Sequence, residues 1–367
     1  MPKRRTGKSK MAEVAQHAGV SLSTVSRALA GSPLISEDTR ALVQDAAERL
    51  NYRVDAAGSS LRTGLTRTVG VVIPLAHAAK QNLSDPFFLE ILGGIADELS
   101  ARGYSLLLHK VTEDPAEWIS TIFRGRRADG VIVIGQSLHH GVLNRLAGMR
   151  FPMVVWGALL KGQRYVSVGS DNETGGHAAT EHLLSQGCRS IAFLGDPAAP
   201  EVAARRKGYA RALSEAGLER APHLEVAVRF GNDTAYHAVG ALIDADVELD
   251  GVVACSDVFA MSAIRALSER GRKVPADVAI VGYDDIPFAA YTTPPLTTIR
   301  QDCQTGARLL VDKLMRAIGR EGIDSAVIPT ELVVRASSLR ERYRALPTID
   351  AKPPAKSTTR TGKSKAG

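Results

Sequence analysis

The sequence has few cysteines and no long apolar run. Its 367 residues include three cysteines, Cys188, Cys255 and Cys303, which are too few and too scattered for a disulfide framework or a zinc site. We therefore expect them to be buried free thiols, with no metal bound. The longest apolar stretches, such as Val69–Leu75, are far shorter than the ~20 residues that a membrane-spanning helix needs.

The sequence also lacks the motifs of common enzymes. It contains no G-x-S-x-G, no H-E-x-x-H and no complete phosphate-binding loop. The repeated hexapeptide RTGKSK, at residues 5–10 and 360–365, lacks the first glycine of such a loop. The pair His139-His140 is expected to be solvated rather than metal-bound. These absences predict a protein that is not an enzyme and carries no cofactor. Because no apolar segment of a secretion signal follows the basic residues 1–10, they also predict a cytoplasmic protein.

The formal net charge of +7 is distributed unevenly along the chain. Residues 1–67 hold 11 lysines and arginines against 6 acidic residues, and residues 339–367 hold 8 against 2. The intervening residues 68–338 hold 27 basic and 31 acidic residues. A slightly acidic body between two basic ends indicates a polyanionic partner such as DNA.

The first 52 residues have the pattern of a helix-turn-helix. Apolar spacing predicts helices at about Met11–His17 and Leu22–Leu29, joined by a turn at Gly19, and a third helix capped by Ser36. In such a unit the second helix enters the major groove of DNA while the first braces it. Arg27 on that helix has the donors that guanine O6 and N7 require.

The rest of the chain has the rhythm of parallel α/β structure. From residue 68 apolar strands alternate with amphipathic helices, which predicts βαβ units and parallel sheets. About 270 residues of this pattern exceed one small sheet, so two similar lobes are expected. The predicted organisation is a basic arm, a helix-turn-helix domain, a hinge, a two-lobed ligand-binding and dimerisation domain and a disordered basic tail, at residues 1–10, 11–52, 53–67, 68–338 and 339–367.

The run AEVAQHAGVSLSTVSRAL at residues 12–29 resembles the headpiece of the LacI/GalR family of bacterial transcription regulators. That headpiece reads D-V-A-x-x-A-G-V-S-x-x-T-V-S-R-x-L, and the resemblance extends from about residue 9 to residue 338. It implies an N-terminal three-helix headpiece followed by a two-lobed, periplasmic-binding-protein-like α/β body. It also implies a homodimeric repressor of the bacterial cytoplasm and nucleoid, which binds a near-palindromic operator. A small-molecule effector bound between the lobes, expected to be a sugar, would control its affinity for DNA.

The resemblance assigns DNA contacts residue by residue. Leu22 and Ser23 would contact bases, Arg27 would contact a guanine, and Leu61 in the hinge would wedge into the minor groove. The full predicted set is Ser21, Leu22, Ser23, Thr24, Ser26, Arg27, Tyr52, Leu61 and Arg62. The sequence departs from the family pattern at Lys10, Ala30, Val54 and Gly58.

The predicted effector contacts lie in the body. A sugar site needs carboxylates and amides for the hydroxyls and an aromatic face for the ring. The predicted set is Phe88, Trp156, Arg205, Ser256 and Asp284. Arg205 is included because the family's arginine position is Ala203 here. Asp171 and Asn172 are expected to be turn or cap residues.

Two other functions fit parts of the sequence. The body alone would permit an exported sugar-binding protein of a transporter, although the helix-turn-helix argues against that alternative. A sugar-acting enzyme is the third possibility, and it has no catalytic set to support it.

Overall fold

A computed structural model describes residues 11–29, 32–52, 65–74, 83–111, 125, 127–136, 139–149, 151–229 and 233–340 of the chain. These residues form two compact units. The described chain enters the first unit at its N-terminus, passes to the second after residue 169, returns at residue 303 and leaves again after residue 327.

The N-terminal helices pack around a small apolar core. They are α1 (Met11–His17), α2 (Leu22–Leu29) and α3 (Glu37–Arg49), which confirms the predicted bounds of the first two. Their shared core consists of Val14, Ala15, Ala18, Val25, Ala28, Val43, Ala46 and Ala47. Residues spaced three and four apart on each helix supply this core, as the 3.6-residue period requires.

Local capping sets where these helices begin. Gly19 has a φ of +64°, the left-handed conformation that a tight turn between α1 and α2 requires. Ser21 caps α2, since its Oγ accepts a hydrogen bond from the backbone N–H of Thr24 at 3.1 Å. Ser36 caps α3 in the same way through Thr39, at 3.3 Å. The cap at Ser36 was predicted from the sequence and is confirmed.

Sheet A lies in the first unit. Its strands are β1 (Thr68–Pro74), β2 (Ser105–Val111), β3 (Gly130–Ile134), β4 (Met153–Trp156), β5 (Val166–Ser170) and β11 (Ala326–Ile328). Their order across the sheet is β11-β5-β4-β3-β1-β2, and β1 to β5 pair in parallel. The accompanying helices are α4 (Pro86–Ala101), α5 (His140–Gly148) and α10 (Cys303–Ile318).

Sheet B belongs to the second unit. Its strands are β6 (Ile191–Leu194), β7 (Glu225–Val226), β8 (Gly251–Ala254), β9 (Ala279–Asp284), β10 (Thr297–Arg300) and β12 (Glu331–Val333). The order is β12-β10-β9-β8-β6-β7, with only the β10–β12 pair antiparallel among these neighbours. The helices of this unit are α6 (Asn172–Ser185), α7 (Pro200–Glu215), α8 (Thr234–Asp244) and α9 (Asp257–Glu269). The two sheets confirm the predicted parallel α/β class.

Each unit fixes the entry of its first strand with an aspartate. The carboxylate of Asp129 accepts hydrogen bonds from the backbone N–H groups of Thr66 at 2.7 Å and Arg67 at 2.8 Å. The Thr66 hydroxyl also donates to it, at 2.9 Å. In the second unit Asp250 accepts from the N–H groups of Arg189 and Ser190. The described end of the linker is therefore held in a fixed register on sheet A.

The three cysteines are buried and free, as predicted. Burial raises the pKa of Cys188 to about 11 and that of Cys255 to about 12, so both are thiols at neutral pH. None of the helices in the described part of the chain is long and apolar enough to cross a membrane.

Candidate DNA-reading helix and effector site

Helix α2 presents one face to the core and the opposite face to solvent. Val25 and Ala28 are fully buried, whereas Arg27 is exposed and Leu22 retains 53% of its surface. An exposed leucine at the start of a short helix contributes nothing to the core, and it can contact a base edge. The structure thus places the predicted base-contacting residues on the free face of α2.

The hydroxyl groups at the start of α2 form a compact cluster. The Oγ atom of Ser21 lies 2.8 Å from both the Ser23 Oγ and the Thr24 Oγ1. Ser21 and Ser23 are exposed, while Thr24 and Ser26 are half-buried. The first backbone N–H groups of a helix and its dipole favour phosphate at this end. The cluster is suited to the backbone of a nucleic acid.

The remaining predicted DNA contacts lie further along the chain. Tyr52 is half-buried against the three-helix core, and its N–H donates to the Ala47 carbonyl at 2.8 Å. Leu61 and Arg62 lie outside the described residues, as do Lys10, Ala30, Val54 and Gly58. The minor-groove wedge and the hinge therefore stay predictions.

A buried polar cluster lies at the carboxyl ends of β8 and β9. Arg205, on α7, is only 7% exposed. Its Nε donates to Asn172 Oδ1 at 2.8 Å, and its Nη1 donates to the Cys255 carbonyl. The guanidinium carbon lies 3.6 Å from the centre of the Tyr283 ring, a cation–π contact. This set of contacts holds the guanidinium in one orientation.

Asp284 brings a carboxylate to the same cluster. Its Oδ1 lies 4.0 Å from Arg205 Nη1 and accepts a hydrogen bond from Gln301 Nε2 at 2.7 Å. Asp284 has a φ of +118° and Asp285 a φ of +57°, both rare for residues with side chains. Such backbone strain is often found at ligand-binding sites. The predicted pair Arg205 and Asp284 is therefore brought together.

Ser256 and Asp257 stand beside this cluster with structural roles. The Ser256 hydroxyl caps α9 by accepting from the Phe259 N–H at 3.3 Å. Asp257 is fully buried and accepts hydrogen bonds from Ile286 N–H and the Thr298 hydroxyl. Burial, helped by the nearby Asp285 carboxylate and opposed by these hydrogen bonds, raises the pKa of Asp257 to about 7.

The predicted aromatic contacts belong to the first unit, at α4 and β4. Trp156 is 4% exposed, and a Cβ at Gly306 of α10 would lie 2.3 Å from its ring. The Phe87 ring also contacts it, with ring centres 6.1 Å apart, and Phe88 packs on Phe87 with ring centres 5.7 Å apart. The structure thus gives Trp156 a packing role within its unit and leaves Phe88 half-buried.

Three polar residues near the predicted effector contacts were not predicted as site residues from the sequence. Asn172 and Gln301 hold Arg205 and Asp284 through the bonds above. Gln136, at the carboxyl end of β3, is fully buried, and its Nε2 donates to the Ala158 carbonyl at 2.6 Å. Its Oε1 has no hydrogen-bond partner among the described residues. Their position just after strands was the available signal. Asp171 caps α6 through Thr174, as predicted.

The fold, the exposed face of α2 and the buried polar cluster together define a class of protein. A helix-turn-helix whose second helix has an exposed face precedes an α/β body of two parallel-rich sheets, which suits a DNA-binding regulator with a ligand-binding body. The model of the bacterial regulatory proteins of the lacI family matches residues 10–55, and that of the periplasmic binding protein-like domain matches residues 180–338.

Relatives that cover about nine tenths of the chain fall in the same group. The HTH-type transcriptional repressor PurR of Pasteurella multocida (strain Pm70) is 31% identical over 89% of this chain and 97% of its own length. A structure of the transcriptional regulator CelR–cellobiose complex has a TM-score of 0.67 at 30% identity, covering 90% of this chain and 99% of that one. The lac repressor dimer bound to operator and the anti-inducer ONPF superposes with a TM-score of 0.77 at 24% identity, covering 91% and 100%. This chain belongs to the LacI family of bacterial transcriptional regulators, which are not enzymes.

Proposed function

We propose that this regulator is a homodimeric repressor that binds a near-palindromic operator in the bacterial nucleoid, under the control of a sugar or sugar derivative. The observation that carries the proposal is the exposed face of α2, in a chain whose second unit contains the buried Arg205–Asp284 cluster. An exported sugar-binding protein would have no use for that helix.

The DNA part of the proposal assigns base contacts and phosphate contacts to different residues of α2. Exposed Arg27 supplies two donors in a fork, which suits guanine O6 and N7. Leu22 and Ser23 add apolar and hydroxyl contacts to neighbouring bases, and the hydroxyl cluster holds phosphates. A dimer would present two such helices to two half-sites one helical turn apart.

The effector part depends on the buried polar cluster. A carboxylate and a guanidinium held by several partners can accept from and donate to adjacent sugar hydroxyls. The neighbouring structure with cellobiose supports a carbohydrate for this chain as well.

The operator experiment begins with selection of bound duplexes from random DNA by the full chain. Arg27→Ala and Leu61→Ala should then each weaken operator binding, with about 1–3 kcal/mol lost for a bidentate base contact at Arg27. Arg49→Ala is the matched control, because Arg49 is an exposed headpiece arginine that pairs only with Asp45 among the described residues. Wild-type operator affinity in both test variants would refute the proposed mechanism.

The effector experiment is a thermal-shift screen with cellobiose, ribose, other carbohydrates and purines. A ligand at 100 times its Kd stabilises the folded state by about 2.7 kcal/mol. Asp284→Asn should abolish the shift, while Asp277→Asn, an exposed aspartate of the same unit, should keep it. A shift with purines alone would overturn the sugar assignment. Operator binding with and without the ligand then separates an inducer from a corepressor.

A further inference from the structure

A cavity lies in the first unit, at the end of sheet A opposite Trp156 and Gln136. It has a volume of about 580 Å³ and lies at the amino ends of β4 and β5, whereas Trp156 and Gln136 lie at carboxyl ends. The floor is apolar and comprises Ala147, Phe151, Pro152, Met153, Val166 and Ile323. Sites for small molecules occupy roughly 300–1,000 Å³, so the size suits a ligand.

The walls of this cavity are held by hydrogen bonds from outside it. The side-chain Oδ1 of Asn144 accepts a hydrogen bond from the backbone N–H of Arg164 at 2.7 Å, which fixes one wall. On the other wall Arg316 donates to Glu321 and to the Gly322 carbonyl, each at 2.9 Å. The cavity is therefore largely pre-formed, which reduces the entropy that a ligand would have to offset.

The charges around the cavity favour an anion. The side chains of Arg164 and Arg320 are exposed on its rim, and neither forms an ion pair with any residue that the structure describes. The one acidic residue of the lining, Glu321, is already paired with Arg316. The nearby C-termini of α5 and α10 contribute roughly −0.5 charge each, so the two free guanidinium groups dominate.

We propose that this cavity binds a small organic anion, a carboxylate or a phosphate monoester that carries an apolar group. The anion would lie between Arg164 and Arg320, whose planar forks match both acid groups, and the apolar group would cover the floor. Because β1 lies two strands from β4, the ligand would sit about 10 Å from where the linker enters sheet A. The site is separate from the proposed effector cluster and does not depend on that proposal.

The test is calorimetric titration of the full chain with 3-phenylpropionate and with phenyl phosphate. We expect one or both anions to bind, and 3-phenylpropan-1-ol and inorganic phosphate to bind at least tenfold more weakly, because each lacks one half of the chemistry. The double variant Arg164→Gln/Arg320→Gln should raise the Kd of a bound probe at least tenfold. Arg308→Gln, an exposed arginine of α10 outside the cavity, is the control and should leave it unchanged.

The outcomes separate this site from its alternatives. Unchanged probe affinity in Asp284→Asn places the probe outside the effector cluster, whereas a tenfold loss there would overturn the proposal. The proposal would also be overturned if the alcohol bound as tightly as the anions, or if neither anion bound at millimolar concentration. Wild-type affinity in the double variant would overturn it as well. If the double variant instead loses affinity for random-sequence DNA while no probe binds, the arginines serve DNA phosphates and the proposal is wrong.

Discussion

Replacing Arg205 by methionine tests the polar cluster of the second unit directly. Methionine keeps most of the aliphatic volume but removes the charge and every donor. The substitution leaves Asn172 Oδ1 and the Cys255 carbonyl without the guanidinium and removes the cation beside Asp284. All of these groups are in a region where Arg205 itself is 7% exposed, so water replaces the lost partner poorly.

The expected magnitude follows from that burial. Removing one partner of a buried ion pair costs about 3–5 kcal/mol, and each stranded polar group costs about 1–3 kcal/mol. These figures overlap rather than add, because the same guanidinium serves all of them. We expect a loss of about 3–5 kcal/mol in the second unit, a large fraction of the roughly 5–15 kcal/mol that stabilises a typical protein.

Hydrogen exchange measured by mass spectrometry can locate this loss in the full chain. The slowest amides of β8 and β9 should exchange about 100-fold faster or more in Arg205→Met, since 1.4 kcal/mol is about tenfold, while sheet A keeps its protection. Arg211→Gln, a 42% exposed arginine of the same helix, should change exchange by less than about fivefold. Protection of β8 and β9 within fivefold of wild type in Arg205→Met would refute the reasoning.

Three further predictions concern other parts of the molecule. Ser21→Ala should destabilise α2 by about 0.5–2 kcal/mol, read as faster exchange of its amides, because it removes the cap; Ser23→Ala, which removes no cap, is the control. Burial raises the pKa of Asp257 from 3.8 to about 7, so its folded form keeps a proton that the unfolded chain releases. The stability that this carboxyl contributes is complete below pH 3.8 and is lost as the pH rises through about 7. The free energy of unfolding of Asp257→Asn, measured in urea, should lack this pH dependence. A pH profile of the variant that matches wild type would contradict the prediction. Asp129→Ala frees the linker end and should weaken operator binding about tenfold. The equivalent change in the second unit, Asp250→Ala, should leave operator affinity within about twofold of wild type. Equal effects of the two substitutions would contradict a specific role of the linker register.

The elements that sequence reasoning predicted well are those whose signal is local. Helices α1 and α2 were bounded correctly because a glycine turn and a serine cap stand at their ends. Strand β5 has a weak local signal, since its sequence VSVGS breaks the apolar run and it becomes a strand through pairing with β4. Helix α7 begins at Pro200, where proline suits the first turn.

The same distinction between local and long-range signals explains the candidate sites. The exposed face of α2 follows from helical periodicity over eight residues, so the sequence alone could indicate which side chains are free. Asn172 was predicted to be a cap or turn residue, and only the packing of α6 on α7 brings its Oδ1 to Arg205, 33 positions away. Trp156 is predicted to offer a ring face to a ligand, and its ring also packs against Gly306, in a segment that returns to the first unit 150 residues later. Residue chemistry at strand ends therefore indicates where an effector site lies, while long-range packing decides which of those side chains remain available to the effector.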